Sequence, residues 1–274
     1  MIPCNFDYYR PESLQELGQA IREAPRPFQF LAGGTEIVTM AQAGEIAPKA
    51  VIDLKAIPAC NKLAMENGRL HMGAALTLTQ AATSGLFPLL GSVARRISDH
   101  TNQCTITLGG NICGTIAYRE AILPLLLSEA RAGFFRKGRV VEQKLADCFH
   151  GRLQREEETA LLYLCVEQKY LSMPYVHVKK VKNEKIDYPL LTLAALKAPE
   201  GVRLAVSGLC SFPFLVECAA LADPSRMPGQ RAEAVIKSLP EQPRADSFAS
   251  AAWRAFIMKQ AVEDAIARLE GRGG

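Results

Sequence analysis

The sequence predicts an α+β protein built in three successive pieces, and three observations predict it. Helix and strand signals alternate through the first 55 residues. Strand signals then cluster in the middle of the chain. The last hundred residues carry strands first and afterwards a long helical stripe. The change of character between Glu167 and Met173 marks the expected division, giving parts 1–170 and 171–274, the first split near residue 55.

The first helix follows Ser13-Leu14-Gln15-Glu16, a capping-box pattern, with Leu14, Leu17, Ile21 and Ala24 at helical spacing. Pro25 and Pro27 end it. Phe28 to Ala32 reads as a short strand, Ile37 to Ala43 as a helix stopped by Gly44, and Ala50 to Leu54 as a second strand. In the second unit Arg69–Gly73 reads as a strand, and Thr77-Leu78-Thr79-Gln80 opens a short helix. A helix is expected over Leu89–Ile97, then a loop carrying Thr107–Asn111. The run 121–130 is expected to be helical with Pro124 in its first turn. Ala132–Phe135, Arg139–Glu142 and Ala160–Val166 are candidate strands, with a charged loop over Arg152–Glu158. In the last part Pro174–Val181 and Val202–Ser207 are strands, and Leu190–Leu196 suits a helix or a strand. The chain from Pro213 onward reads as helical, with Ala255, Met258, Val262, Ile266 and Leu269 forming one apolar stripe.

Composition narrows the function classes. The 274 residues are 49% apolar and 22% charged, so a core can be buried. A net charge of +4 gives no reason to expect nucleic acid as the partner. No apolar run is long enough to span a membrane, and the start shows no secretory signal, so a cytoplasmic location is expected. Eight cysteines at 4, 60, 104, 113, 148, 165, 210 and 218 contain no Cys-x-x-Cys pair, and four histidines (His71, His100, His150, His177) are scattered. Free structural thiols are expected, with no metal site and no protein nucleophile.

Two glycine pairs stand out, Ala32-Gly33-Gly34-Thr35-Glu36 and Thr107-Leu108-Gly109-Gly110-Asn111. Each follows an apolar or β-branched segment. Glycine admits positive φ and lets backbone N–H groups approach an anion with no Cβ in the way. Either pair alone also suits a tight turn. Common nucleotide fingerprints, Gly-x-Gly-x-x-Gly and the Gly-Lys-Ser/Thr loop, are absent.

Together the two pairs, in this order and separation, resemble the FAD-binding subunit of the molybdenum hydroxylases, the family of xanthine dehydrogenase and the carbon monoxide dehydrogenase medium subunit. Met72-Gly73-Ala74-Ala75-Leu76-Thr77 is similar to a strand end between the family's two motifs. The likeness runs from the opening Phe6, Tyr9-Arg10-Pro11 and Ser13-Leu14 to the terminal helix around Ser250–Arg254. It implies a two-part FAD-binding domain of the PCMH type followed by a smaller C-terminal α/β domain. It also implies that Leu31, Ala32, Gly33, Gly34, Thr35, Glu36 and Ile37, with Thr107, Leu108, Gly109, Gly110 and Asn111, hold the pyrophosphate and ribityl region through backbone N–H groups. Further cofactor contacts implied by the resemblance are Glu120, where Asp is usual, Leu162 and Lys179. Lys179 stands in a basic cluster with Lys180, Lys182 and Lys185, which on its own also reads as a solvated strand edge.

The first motif contains no histidine to attach the flavin, which implies non-covalent FAD. No residue of the chain is assigned a catalytic role. The implied partners are a molybdopterin-binding large subunit and a small subunit with two-iron two-sulfur clusters, with NAD, oxygen or another acceptor at the end of the chain of transfer. The sequence departs from the family at Gly114-Thr115-Ile116-Ala117, at Gln103-Cys104-Thr105 and at Tyr118-Arg119. The departures bear on the electron acceptor more than on the fold; the altered Gly114–Ala117 segment leaves a flavin-free assembly subunit open, and a self-sufficient flavin oxidoreductase is a second alternative.

Overall fold

The structure is a computed structural model that describes residues 2–182 and 187–271. Its first unit is a parallel sheet of β1 (Asp7–Tyr9), β3 (Ala50–Asp53) and β2 (Phe28–Leu31), in that spatial order. Parallel neighbours need crossover connections, and α1 (Leu14–Glu23) and α2 (Thr35–Gln42) supply them. Ser13 caps α1, its hydroxyl accepting from Glu16 N at 3.2 Å. Leu17, Ala20 and Ile21 of α1 pack with Ala50 and Ile52 of the sheet.

The second unit is an antiparallel sheet in the order β4 (Leu63–Glu66), β5 (Arg69–Gly73), β8 (Ala160–Glu167), β6 (Arg131–Arg136), β7 (Arg139–Lys144). A single turn, α3 (Pro58–Asn61), leads into it. Two hairpins build its edges. Asn67-Gly68 (φ 49° and 73°) turns β4 into β5, and Lys137-Gly138 (φ 50° and 78°) turns β6 into β7. Between β5 and β6 lie α4 (Leu78–Thr83), α5 (Pro88–Ala94), α6 (His100–Gln103), α7 (Leu108–Cys113) and α8 (Ile122–Leu127). Two more turns, α9 (Leu145–Cys148) and α10 (Gln168–Leu171), follow β7 and β8.

All six residues of α8 are buried because it is covered from two sides. The middle sheet packs on one side, and Ala194, Leu196 and Ala205 of the last unit close the same core from the other. That last unit is an antiparallel sheet β12 (Phe214–Leu215), β11 (Gly201–Ser207), β10 (Pro189–Ala198), β9 (Tyr175–Val181). Its far face carries α11 (Pro228–Lys237) and α12 (Ala251–Glu270). Alternate residues of β10 therefore face opposite cores: Leu191, Leu193 and Ala195 meet Ile257, Met258, Ala261, Val262, Ala265 and Ile266, while Ala194 and Leu196 face α8. Burial on both faces produces the unbroken apolar run that left helix or strand open at Leu190–Leu196, and it is a strand. Arg254 ties α12 to this sheet, donating to Leu190 O (2.7 Å) and Gly208 O (2.9 Å) while paired with Asp246.

Three expectations change. Thr107–Asn111 is not a loop but the opening of a helix, α7. The helix expected to reach Ile97 ends at Ala94, and the stretch after Pro213 begins with a strand, β12, before turning helical. All eight cysteines are free thiols. Among the described residues no helix is long and apolar enough to cross a membrane, and no cluster of His, Cys, Asp and Glu has metal-binding geometry.

Candidate functional site

The first glycine motif is a helix start. Gly34 is the N-cap of α2 with φ 75°, a left-handed conformation that glycine takes without strain. Its Cα hydrogen gives it no capping oxygen, so the N–H groups of Gly34, Thr35, Glu36 and Ile37 have no protein acceptor among the described residues. All four residues are partly open to solvent. Four convergent donors at the positive end of an eight-residue helix form an anion cradle. Lys55 adds a cation beside it: its Nζ donates to Ala32 O at 3.1 Å and pairs with Asp53 at 2.8 Å. Burial works against the Asp53 charge, but bonds from Lys55 and from the Tyr8 hydroxyl (2.5 Å) hold that carboxyl below the ordinary carboxylate range. Sequence reading missed Lys55, since nothing in Asp53-Leu54-Lys55 announces that its chain turns back over Ala32.

The second motif is built differently. Thr107 caps α7, its hydroxyl accepting from Gly110 N at 3.1 Å. Leu108 N donates to Leu76 O and Gly109 N to Ala74 O, both at 2.8 Å, and Asn111 N donates to Thr107 O. The backbone N–H groups of Leu108, Gly109, Gly110 and Asn111, expected to face a phosphate, are thus bonded to protein in this structure. Gly109 of this motif and Gly33 of the first allow close approach of backbones. A Cβ on Gly109 would lie 2.6 Å from the Ala74 side chain, and one on Gly33 would lie 2.3 Å from Thr105 O. The second motif thus packs against the strand end at Ala74, and the first packs against the turn that precedes the second. Gly110 is exposed, with only the Thr107 hydroxyl near the place of its missing Cβ.

The two motifs are bridged. Glu36, in the first turn of α2, accepts from Thr115 N (2.7 Å) and from the Thr115 hydroxyl (2.8 Å), just beyond the second motif. The following residues are tied in several directions. Buried Arg119 donates to Ile116 O (2.7 Å) and Gly151 O (2.6 Å), Ser207 to Ala117 O (3.3 Å), and Arg244 to the Tyr118 hydroxyl (2.9 Å). Tyr118 also stacks on Tyr188, ring centres 4.7 Å apart. The segment that departs from the family pattern is therefore a junction of all three units.

Glu120 and Lys179 are brought together, with each other. Their side chains are 4% and 3% exposed and their charged atoms are 3.1 Å apart. Thr192 donates to Glu120 at 2.6 Å, and Lys179 also donates to Arg96 O at 2.6 Å. Burial pushes the Glu120 carboxyl above the ordinary range, while Lys179 and Thr192 pull it back. Lys179 is consequently a neutralised cation that joins β9 to the middle unit. Two residues along the same face of β9, His177 meets the Ser92 hydroxyl at 3.1 Å. Burial, helped by the charges of Arg96 and Lys179, lowers its imidazole to about 4.

Leu162, expected at the cofactor, is fully buried among Phe135, Ala160 and the first sheet, and contributes a carbonyl to Ala74 N at 2.8 Å. The β6–β8 register shifts there, from Gly133 opposite Tyr163 to Phe134 opposite Leu161, so Leu162 has no direct partner on β6. Lys180 is exposed, Lys182 reaches Ser247 O at 2.9 Å, and Lys185 lies outside the described residues. The first motif, with four backbone donors free of protein acceptors at a helix start and a lysine nearby, has the chemistry to take the pyrophosphate of FAD.

Residues 4–164 match the family described as the FAD binding domain in molybdopterin dehydrogenase. The caffeine dehydrogenase subunit beta of Pseudomonas sp. (strain CBB1) is 22% identical over 222 residues, 72% of this chain and 75% of that one. The carbon monoxide dehydrogenase medium chain of Hydrogenophaga pseudoflava is 28% identical over 116 residues, 41% of this chain and 40% of that one. The nicotinate dehydrogenase FAD-subunit of Eubacterium barkeri is 19% identical over 216 residues, 76% and 72% of the two chains. Among solved structures, carbon monoxide dehydrogenase from Hydrogenophaga pseudoflava superposes with a TM-score of 0.86 at 21% identity, covering 100% of both chains. Quinoline 2-oxidoreductase from Pseudomonas putida 86 gives 0.84 at 20% identity over 98% of each. The family match spans more than half of the chain and the fold agrees throughout, so this protein belongs to the FAD-binding flavoproteins of the molybdopterin dehydrogenases, and its cofactor is FAD.

Proposed function

We propose that this chain is the electron-transfer subunit of a multi-subunit molybdenum hydroxylase, receiving electrons from two-iron two-sulfur clusters of a small partner subunit. A molybdopterin-binding large subunit oxidises the substrate, and electrons leave through this chain to NAD or another acceptor. The observation that carries this reading is the open anion cradle at the start of α2, in a chain whose relatives are named as subunits of dehydrogenases. Bound FAD supplies the redox chemistry, accepting an electron pair and passing it on. The protein's own part is to bind and orient. The donors of Gly34, Thr35, Glu36 and Ile37 hold the pyrophosphate non-covalently, and the Glu120–Lys179–Thr192 group fixes the C-terminal sheet against the FAD-binding units. The complex is cytoplasmic in this reading.

The test is expression with and without neighbouring subunits. Substrate is expected to bleach the flavin only when both partners are present. Turnover by the lone chain would instead establish a self-sufficient flavoenzyme.

A further inference from the structure

Glu36 occupies an awkward place for an anion. It is the second residue of α2, and a carboxylate in a helix's first turn is drawn to that helix's free N–H groups. Here those are the donors of Gly34, Thr35, Glu36 and Ile37, the same ones available to a pyrophosphate. A carboxylate folded onto them would occupy the cradle and repel the phosphates.

The structure holds it elsewhere. Thr115 presents its backbone N–H and its hydroxyl to the same Glu36 oxygen, at 2.7 and 2.8 Å. The other oxygen lies against Gly114, where a Cβ would sit only 2.3 Å away. Thr115 is itself fixed, because Arg119 holds the next carbonyl, Ile116 O, and Ser207 holds Ala117 O. Gly114 and Thr115 are thus matched to Glu36, one by leaving space and the other by donating twice.

We propose that Thr115 is a positioning residue that keeps the Glu36 carboxylate off the start of α2, leaving that cradle open to the FAD pyrophosphate. This rests on the reading that the pyrophosphate lies at the first glycine motif. It gives the departure at Gly114-Thr115 a purpose in cofactor binding.

The experiment is FAD titration of the apo full-length chain by flavin fluorescence, with thermal midpoints measured in parallel. Thr115→Val removes the hydroxyl donor and is expected to weaken FAD binding at least about tenfold, the scale of one lost charge-assisted contact, with the apo midpoint little changed. Thr115→Ser is expected to bind as the wild type does. Removing the released charge should rescue the defect, so Thr115→Val with Glu36→Gln is expected to regain most of the affinity. Riboflavin, which has no pyrophosphate, should bind Thr115→Val and the wild type alike. Wild-type affinity in Thr115→Val, or an equal loss in the single and double variants, would overturn the proposal. Full FAD affinity in Gly34→Val would instead show that the pyrophosphate lies elsewhere, and the proposal would fall with that reading.

Discussion

Replacing Lys179 by Met tests how the C-terminal sheet is held. The substitution preserves most of the side-chain volume but deletes the ammonium that serves both Glu120 and Arg96 O. Removing one partner of a buried ion pair costs about 3–5 kcal/mol, because the remaining charge is left in a medium that solvates it poorly. Glu120 keeps the Thr192 hydroxyl and escapes part of the cost by taking up a proton. The direction with pH follows. Glu120 already lies above the ordinary carboxylate range, and without Lys179 it rises further. A group whose folded value is raised contributes its stability fully below the unfolded value and loses it as pH climbs through the folded one. The deficit of Lys179→Met should therefore be smaller near pH 5 than near pH 8, by up to about 1.4 kcal/mol for each pH unit over which Glu120 titrates. Urea unfolding of variant and wild type at the two pH values measures it. Adding Glu120→Met should recover much of the loss, since an apolar pair of similar volume replaces the ions. A deficit below about 1 kcal/mol, or one equal at both pH values, would refute the account of a buried, mutually dependent pair.

Three further outcomes are expected. Gly33→Ala drives a Cβ to 2.3 Å from Thr105 O, a backbone atom that cannot swing aside, so unfolding free energy should fall by about 1–3 kcal/mol in chemical denaturation. Gly34→Val puts a β-branched residue at φ 75° and should leave purified protein without flavin, read as the ratio of absorbance at 450 nm (about the flavin maximum) to protein. His177 is lowered from 6.5 to about 4, so the stability of its neutral form is complete above pH 6.5 and is lost as pH falls toward 4, by about 3 kcal/mol in all. Wild type should thus lose more stability than His177→Phe over that interval, and parallel pH curves for the two proteins would count against it.

Local chemistry made much of this architecture readable. Ser13 and Thr77 announced their helices because a hydroxyl cap and its partner lie three residues apart. The strands of the middle sheet were visible from β-branched and apolar runs, although β4 was missed despite Asn67-Gly68, whose paired positive φ angles are a hairpin signal. Thr107 was read as part of a loop because Gly110, not Glu or Gln, stands at the third helical position, so no capping box marks α7. At the candidate site the two glycine motifs mark where α2 and α7 begin, but not which of their backbone N–H groups stay free. Whether a backbone N–H is free depends on where Ala74, Leu76 and the Thr107 hydroxyl come to rest, and those placements are set by tertiary packing. The contacts of Lys55, Thr115, Arg96 and Thr192 are not readable from the sequence for the same reason. Their partners lie 23, 79, 83 and 72 residues away, beyond any local pattern.

The unfilled first turn of α2 has a consequence for the protein as a material. On the proposed reading, donors without a protein acceptor give the cofactor a preference for the folded chain over the unfolded one. That preference couples loading to folding: free FAD at one hundred times its dissociation constant adds about 2.7 kcal/mol to unfolding. Flavin-poor preparations are then expected to unfold at lower denaturant concentration than flavin-loaded ones.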